Sequence, residues 1–208
     1  MKNVFMNILA IGAHPDDIEL GCSGTLLNHK KNGDKIFLLI ITNGENGGIQ
    51  ELRIKEAEKA AGLIGAEIKI LDFQDGEIKD DIHLIKAIED YVKSQNIDVM
   101  FTHSKNDRHQ DHRNIASACQ IAMRFVNECY SYETPVTPNN FLPTMFVDIT
   151  ENFEKKMLCI EAHTTQENRY YVNNNSVSNM NSFRALNAGF PDKKFEAFEI
   201  NKIVRNKF

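Results

Sequence analysis

The chain has 208 residues, 42% of them hydrophobic and 25% charged, enough for one domain with a full core and too few for two comfortable ones. A net charge of −5, with lysines and arginines dispersed, lacks the basic stripe of a nucleic-acid groove. No apolar run approaches the ~18 residues of a membrane span, so the expectation is a globular protein with neither a span nor a long disordered region.

The opening MKNVFMNILAIGA imitates a secretory leader, with one lysine, a short apolar run and a small-residue ending. Asn3 and Asn7 interrupt it and cleavage after Ala13 would leave a ragged end, so it reads as the first strand of a cytoplasmic protein. Ile8 to Ala13 shows no polar alternation, as expected of a parallel strand covered on both faces. That run stops on His14-Pro15-Asp16-Asp17. Pro15 cannot extend a strand and suits the first turn of a helix. His14 and Asp17, three apart, can point to one side of that turn, leaving Asp16 to point elsewhere. Aspartates also simply suit a helix N-terminus; it is the placement straight after a buried strand, where ligands of open α/β sheets collect, that marks a site.

Ile18 to Lys31 reads as a helix with Leu26 and Leu27 inward, ended by Asn32-Gly33, and Lys35 to Thr42 as a second apolar strand. The loop Asn43-Gly44-Glu45-Asn46-Gly47-Gly48 matches no phosphate-binding fingerprint. Ile49 to Ile64 is the next helix, stopped by Gly65; within it Arg53 and Glu56, one turn apart, suggest a surface ion pair. A strand at Ile68–Leu71, a helix at Asp80–Gln95 with Ile82, Ile85, Ile88 and Val92 on one face, and a strand at Val99–Thr102 follow. Fourfold strand–helix alternation predicts an α/β fold: a Rossmann-like, mostly parallel sheet flanked by helices, in a single domain.

The fourth strand ends in a second polar cluster, His103 to Arg113, before a helix from about Asn114 to Phe125. Tyr130 to Glu133 is expected at a sheet edge, Pro135 to Pro143 as a loop, and Met145 to Ile149 as a strand. A helix from Glu151 to Ala162 should carry Glu154, Lys155, Lys156 and Glu161 outward. Thr164 to Asn181 is asparagine-rich and resembles a surface segment or lid, and Phe195 to Val204 a closing strand with Phe198, Ile200 and Ile203 inward. The domain core is thus placed at about 4–166, with a polar lid-like segment and the closing strand over 167–208. The four cysteines form no C-x-x-C pair and are expected to be reduced and buried.

A catalytic zinc site takes three protein ligands and leaves a position for water. His14 and Asp17 from the first cluster and one histidine from the second can supply them. Asp16 and the remaining histidine then suit proton transfer and oxyanion stabilisation, a constellation for metal-assisted hydrolysis. His103 is expected to be structural, His29 and His83 superficial.

A-H-P-D-D after the first strand, with H-x-D-H ninety-five residues on, resembles the LmbE-like (PIG-L type) zinc-dependent N-deacetylases. The likeness extends to G-C-S-G at Gly21–Gly24, to Arg53 with Glu56, and to Lys155 with the H-x-x-Q of His163–Gln166. The second cluster reads H-Q-D-H where the best-known members have proline in second place, with every charged position intact. The resemblance implies zinc held by His14, Asp17 and His112, Asp16 as general base, His109 as electrophile or acid, Asp111 orienting a histidine, and Arg53 as a substrate contact. It further implies a small-molecule N-acetylated amino sugar or conjugate as substrate, and hints at self-association into a homo-oligomer. Two rivals stand beside it: a non-haem iron(II) oxygenase using His14, Asp16 and His112, and a non-catalytic sugar- or nucleotide-binding module.

Overall fold

The computed structural model describes residues 5–204; Asn3 of the leader-like stretch and the first residue of the expected 4–166 core lie outside them. Unbroken apolar runs form the centre of the sheet because both of their faces are covered. They are β1 (Asn7–Gly12), β2 (Lys35–Thr42) and β4 (Val99–His103). Leu9 and Ile11 of β1 enter one core with Phe37, Leu39 and Ile41, while Ile8 and Ala10 enter a second with Ile36, Leu38 and Ile40. Helices α1 (Asp17–Lys31), α2 (Gln50–Ile64) and α5 (Phe153–Glu161) cover one face; α3 (Ile82–Ser94) and α4 (Gln110–Ala122) cover the other.

With β3 (Glu67–Phe73), β5 (Glu128–Tyr132), β6 (Met145–Asp148) and β7 (Phe195–Ile203), the strand order is β3-β2-β1-β4-β5-β7-β6. The first five run parallel, and β7 is antiparallel to both its neighbours. The chain leaves β1 toward β2 on one side and later returns to β4 on the other, so the order reverses at the β1/β4 boundary. The carboxyl ends of those strands flank the crevice in which such sheets bind ligands.

Several expectations need correction. β5 is an interior strand, because β7 pairs along its far side; β6 is the edge. In β7 Phe195, Ala197 and Phe198 are buried, but Ile200 and Ile203 are exposed, because the cover over the strand ends after Phe198. The inner face of α3 runs through Leu84, Ile88 and Val92, leaving Ile82 exposed. The expected surface segment Thr164–Asn181 contains part of a helix, α6 (Asn174–Asn187), capped by Asn173, whose Oδ1 accepts from Ser176 N at 2.9 Å. Val172 and Val177 of this region are buried against Leu20, Met157 and Ile160.

Lys156 is fully buried, whereas Glu154, Lys155 and Glu161 are exposed as expected. Its Nζ donates to Glu196 Oε1 at 2.6 Å and to Leu20 O at 2.8 Å. Glu196 also accepts from Gly24 N, Thr25 N and Thr25 Oγ1, so one buried ion pair ties α1, α5 and β7 together. The G-C-S-G segment permits this closeness: a Cβ on Gly21 would lie 2.2 Å from the Tyr132 ring, and one on Gly24 2.8 Å from Ile149. The four cysteines are free and buried, and burial pushes the Cys22 thiol well up, away from reactivity. Among the described residues no helix is long and apolar enough to cross a membrane.

Candidate metal centre

β1 ends at Gly12 and α1 begins at Asp17, so His14, Pro15 and Asp16 must turn the chain at the sheet's carboxyl end. Asp16 takes φ 115° and ψ −25°, an unfavourable conformation for a residue with a Cβ. Arg53 holds the turn from α2, its guanidinium donating to Pro15 O at 2.6 Å and to Gly44 O at 2.7 Å. Arg53 and Glu56 are therefore not a surface pair. Both are buried, and Glu56 instead accepts from Thr164 and Thr165. Asp16 makes no capping bond to α1 and lies 3.5 Å from Arg53 Nη2. Burial and the neighbouring Asp17 raise its pKa to about 6 against the pull of Arg53.

The second cluster begins its helix earlier than expected. His109 is the N-cap of α4, its Nδ1 accepting from Asp111 N at 3.3 Å, so the Nε2 of the neutral ring carries the proton. Asp111 and His112 thus sit in the first helical turn and face β1.

Three donor atoms converge. His14 Nδ1 and Asp17 Oδ2 are 3.3 Å apart, Asp17 Oδ2 and His112 Nε2 3.3 Å, and His112 Nε2 and His14 Nδ1 3.4 Å. The corners of such a triangle lie about 1.9 Å from its centre, a size that would suit the three protein ligands of a zinc ion. Asp17 is fixed by accepting from His14 N at 2.8 Å. The outer nitrogens face carboxylates too. His14 Nε2 is 3.0 Å from Asp75 Oδ1 and 3.4 Å from Asp111 Oδ2, and His112 Nδ1 is 3.3 Å from Asp107 Oδ2. Carboxylates behind ligating histidines are the usual outer support of a metal site.

The electrostatics say the same. Burial would lower the imidazole pKa values, yet the carboxylates around them hold His14 well above its ordinary value and His112 at about 9. Burial would raise Asp17, yet the charge of His112 holds it well below the carboxylate range. Positive charge is wanted at this point, and a divalent cation fits the donor set. His103, stacked on His112 at 3.8 Å, accepts from Ala13 N at 3.0 Å; burial and His112 drive its pKa to about 4, so it stays neutral, a structural histidine. Burial and His112 likewise lower His109. His83 is exposed, and His29 is half-buried against Asp34 at 2.7 Å.

The centre floors a cleft of about 460 Å³ that His14, Asp16, Asp17, Arg53, His109 and His112 line together; Asp111 lies behind His14. Among the described residues the donor groups gathered for a metal include Asp17 and not Asp16, so the triad of His14, Asp16 and His112 is not assembled. Sequence reasoning assigned no role to Asp75 and Asp107. Asp75-Gly76 follows the end of β3, where the rule applied to β1 and β4 would have flagged it; Asp107 stood inside the second cluster unassigned. His163 lies behind the cleft, 3.4 Å from the buried Glu19, and Gln166 donates to Gly47 O at 3.1 Å, so H-x-x-Q ties the end of α5 to α1 and to the glycine-rich loop.

The family model described as PIG-L, GlcNAc-PI de-N-acetylase, matches residues 9–123, more than half of the chain. The uncharacterized deacetylase YaiS of Escherichia coli K12 is 36% identical over 75% of this chain and 89% of its own length. The N,N'-diacetylchitobiose deacetylase of Pyrococcus horikoshii superposes with TM-score 0.83 at 21% identity, covering 94% of this chain and 83% of that one. GalB, the 4-carboxy-2-hydroxymuconate hydratase of Pseudomonas putida KT2440, superposes with TM-score 0.84 at 19% identity, covering 98% of this chain and 100% of that one. The fold therefore hosts more than one water-using reaction and does not itself choose between them.

Proposed function

The chain belongs to the PIG-L (LmbE-like) family, and on that premise we propose that it is a zinc-dependent hydrolase removing the N-acetyl group from an N-acetylated amino sugar or its conjugate. The observation that carries this reading is the triangle of His14 Nδ1, Asp17 Oδ2 and His112 Nε2 opening into a cleft beside Asp16 and His109.

When bound, zinc supplies Lewis acidity, bringing the pKa of a water to about 7 and polarising the amide carbonyl. Asp16, buried beside Arg53 with its pKa raised to about 6, takes the proton of the attacking water and returns it to the departing amine. His109 presents a neutral Nε2–H to the oxyanion that develops at the acetyl carbon. Arg53 holds Asp16 in place through Pro15 O and Gly44 O and lines the cleft wall, where it contacts substrate. Asp111 and Asp75 orient His14, and Asp107 orients His112. Amide and water yield the free amine and acetate.

The test is acetate release from a panel of N-acetylhexosamine conjugates by zinc-loaded protein, with Asp16→Asn as control. The expected result is release lost in the variant while zinc stays bound. Release that survives the substitution, or a variant that cannot hold the metal, overturns the assignment of Asp16. A panel without release from protein that retains zinc overturns the acetyl-sugar reading.

A further inference from the structure

Helix α2 sends two buried side chains toward the cleft from successive turns. Arg53 holds the Asp16 turn through Pro15 O and Gly44 O. Glu56 holds something else. Its Oε1 accepts from Thr164 Oγ1 at 2.6 Å and from Thr165 N at 2.9 Å, and its Oε2 accepts from Thr165 Oγ1 at 2.6 Å. Gln166 extends the grip, its Nε2 donating to Gly47 O at 3.1 Å and to Thr165 Oγ1 at 3.0 Å. Gly47 in turn lies against the Arg53 guanidinium, where a Cβ would come within 2.4 Å of Nη1. Hydrogen bonds to an ionised acceptor are short and roughly twice as strong as neutral ones, so a carboxylate with both oxygens filled by one short segment fixes where that segment lies.

The segment so held begins one wall of the cleft. Between the end of α5 at Glu161 and the start of α6 at Asn174 the chain passes along the cleft, and Gln166, Tyr170 and Tyr171 line it. The far end is anchored by Val172, buried with Leu20, Met157 and Ile160. Between the anchors Tyr170 stands 76% exposed, and the backbone bonds back to its own segment, Arg169 N to Gln166 O and Val172 N to Arg169 O. Removing the grip of Glu56 would leave the wall pivoting between the buried His163 and Val172.

Resting on the deacetylase reading, we propose that Glu56 is a positioning residue for that reaction: it latches Thr164–Gln166 so that the wall meets the substrate, while Arg53, one helical turn away, fixes the floor. Among the described residues no hydrogen bond or ion pair joins Glu56 to Asp16 or to the metal-ligand set, so the two duties separate. Loss of Glu56 weakens substrate binding and leaves the chemical step and the metal intact.

The experiment measures acetate release by zinc-loaded Glu56→Ala from the N-acetylhexosamine conjugate that the wild type turns over best. KM should rise about tenfold or more, with kcat within about twofold and zinc affinity unchanged. Glu56→Gln keeps an acceptor oxygen and loses the charge, so it should raise KM by less. Thr165→Ala should raise KM as well, and combining it with Glu56→Ala should be no worse than Glu56→Ala alone, since both break one latch. Hydrogen exchange gives the arm independent of turnover: amides of residues 164–171 should exchange faster in Glu56→Ala and return toward wild type in Glu56→Gln, with the sheet unchanged. A glutamate that only stabilises the fold would lower kcat through the folded fraction at constant KM. That result, zinc lost together with substrate affinity, or exchange over 164–171 equal to wild type overturns the proposal and leaves the deacetylase reading standing. Where the wild type releases no acetate from any conjugate, it is the deacetylase reading that fails, and exchange over 164–171 alone decides the latch.

Discussion

Replacing Asp75 by Asn keeps the side chain's size and removes a charge 3.0 Å from Nε2 of His14. Asp75 is nearly buried and its other oxygen already accepts from Asn46 N at 3.0 Å. An asparagine has one acceptor oxygen, so its amide must turn an N–H toward either His14 or the backbone of Asn46. The histidine thereby loses basicity at the nitrogen that would face the metal. Changes of this kind cost about 10–100-fold in metal affinity. Two features put Asp75 at the low end: His14 Nε2 is not aligned for a full hydrogen bond with either carboxylate, and Asp111 Oδ2 remains 3.4 Å away to compensate. The expected loss is about tenfold, or about 1.4 kcal/mol. Competition for zinc against a chromophoric chelator measures it directly, without reference to turnover. Because each carboxylate covers for the other, Asp75→Asn with Asp111→Asn should cost more than the product of the two single effects. Zinc affinity within about twofold of wild type in Asp75→Asn, with a double variant no worse than the product, would refute this account of how His14 is held.

The charge state of the centre gives a second expectation. His14 and His112 hold protons in the metal-free protein at neutral pH because their folded pKa values are raised, His112 to about 9. A metal must displace those protons, so affinity should climb with pH toward about 9, and calorimetry in buffers of different ionisation heat should count more than one proton released at pH 7. Release of none contradicts the arrangement. Without metal the same shift stabilises the fold fully below the ordinary imidazole value, and that contribution is lost as pH rises through about 9. A third expectation concerns Lys156→Met, which leaves the Glu196 carboxylate buried without its cation. The cost should be about 3 kcal/mol in urea unfolding, at the low end for a broken buried pair because Gly24 and Thr25 still donate to Glu196. Adding Glu196→Gln should return part of it; a single variant as stable as wild type would mean that the pair holds nothing.

The sequence was most legible where one physical cause dominates. Strands covered on both faces must be apolar throughout, so β1, β2 and β4 stood out, and polar residues straight after them could only lie at the carboxyl edge of the sheet. His14, Asp17, His109 and His112, which line the cleft together, were singled out in that way. Local rules failed where the partner was distant. Arg53 and Glu56 obey the spacing of a surface pair, but the folded chain offers Arg53 two carbonyls from loops nine and thirty-eight residues away. Lys156 sits among outward charges on α5, and nothing within the helix reveals that Glu196, forty residues on, waits beneath it. Asp75 matters only because the loop after β3 folds back over His14. In α6 the run of asparagines hid a helix whose buried side is narrow, with Val177 and Ala185 fully enclosed and Phe183 and Leu186 exposed.

The backbone of Asp16 sets durability against turnover. A carboxylate is held there at φ 115°, under burial and beside the charge of Asp17, so the native residue costs the fold at its own position. Glycine would relieve the backbone and the repulsion at once. A library screened for heat resistance alone would therefore gather substitutions at 16 and discard the reaction with them, while one screened for product would keep a protein that melts earlier than it must.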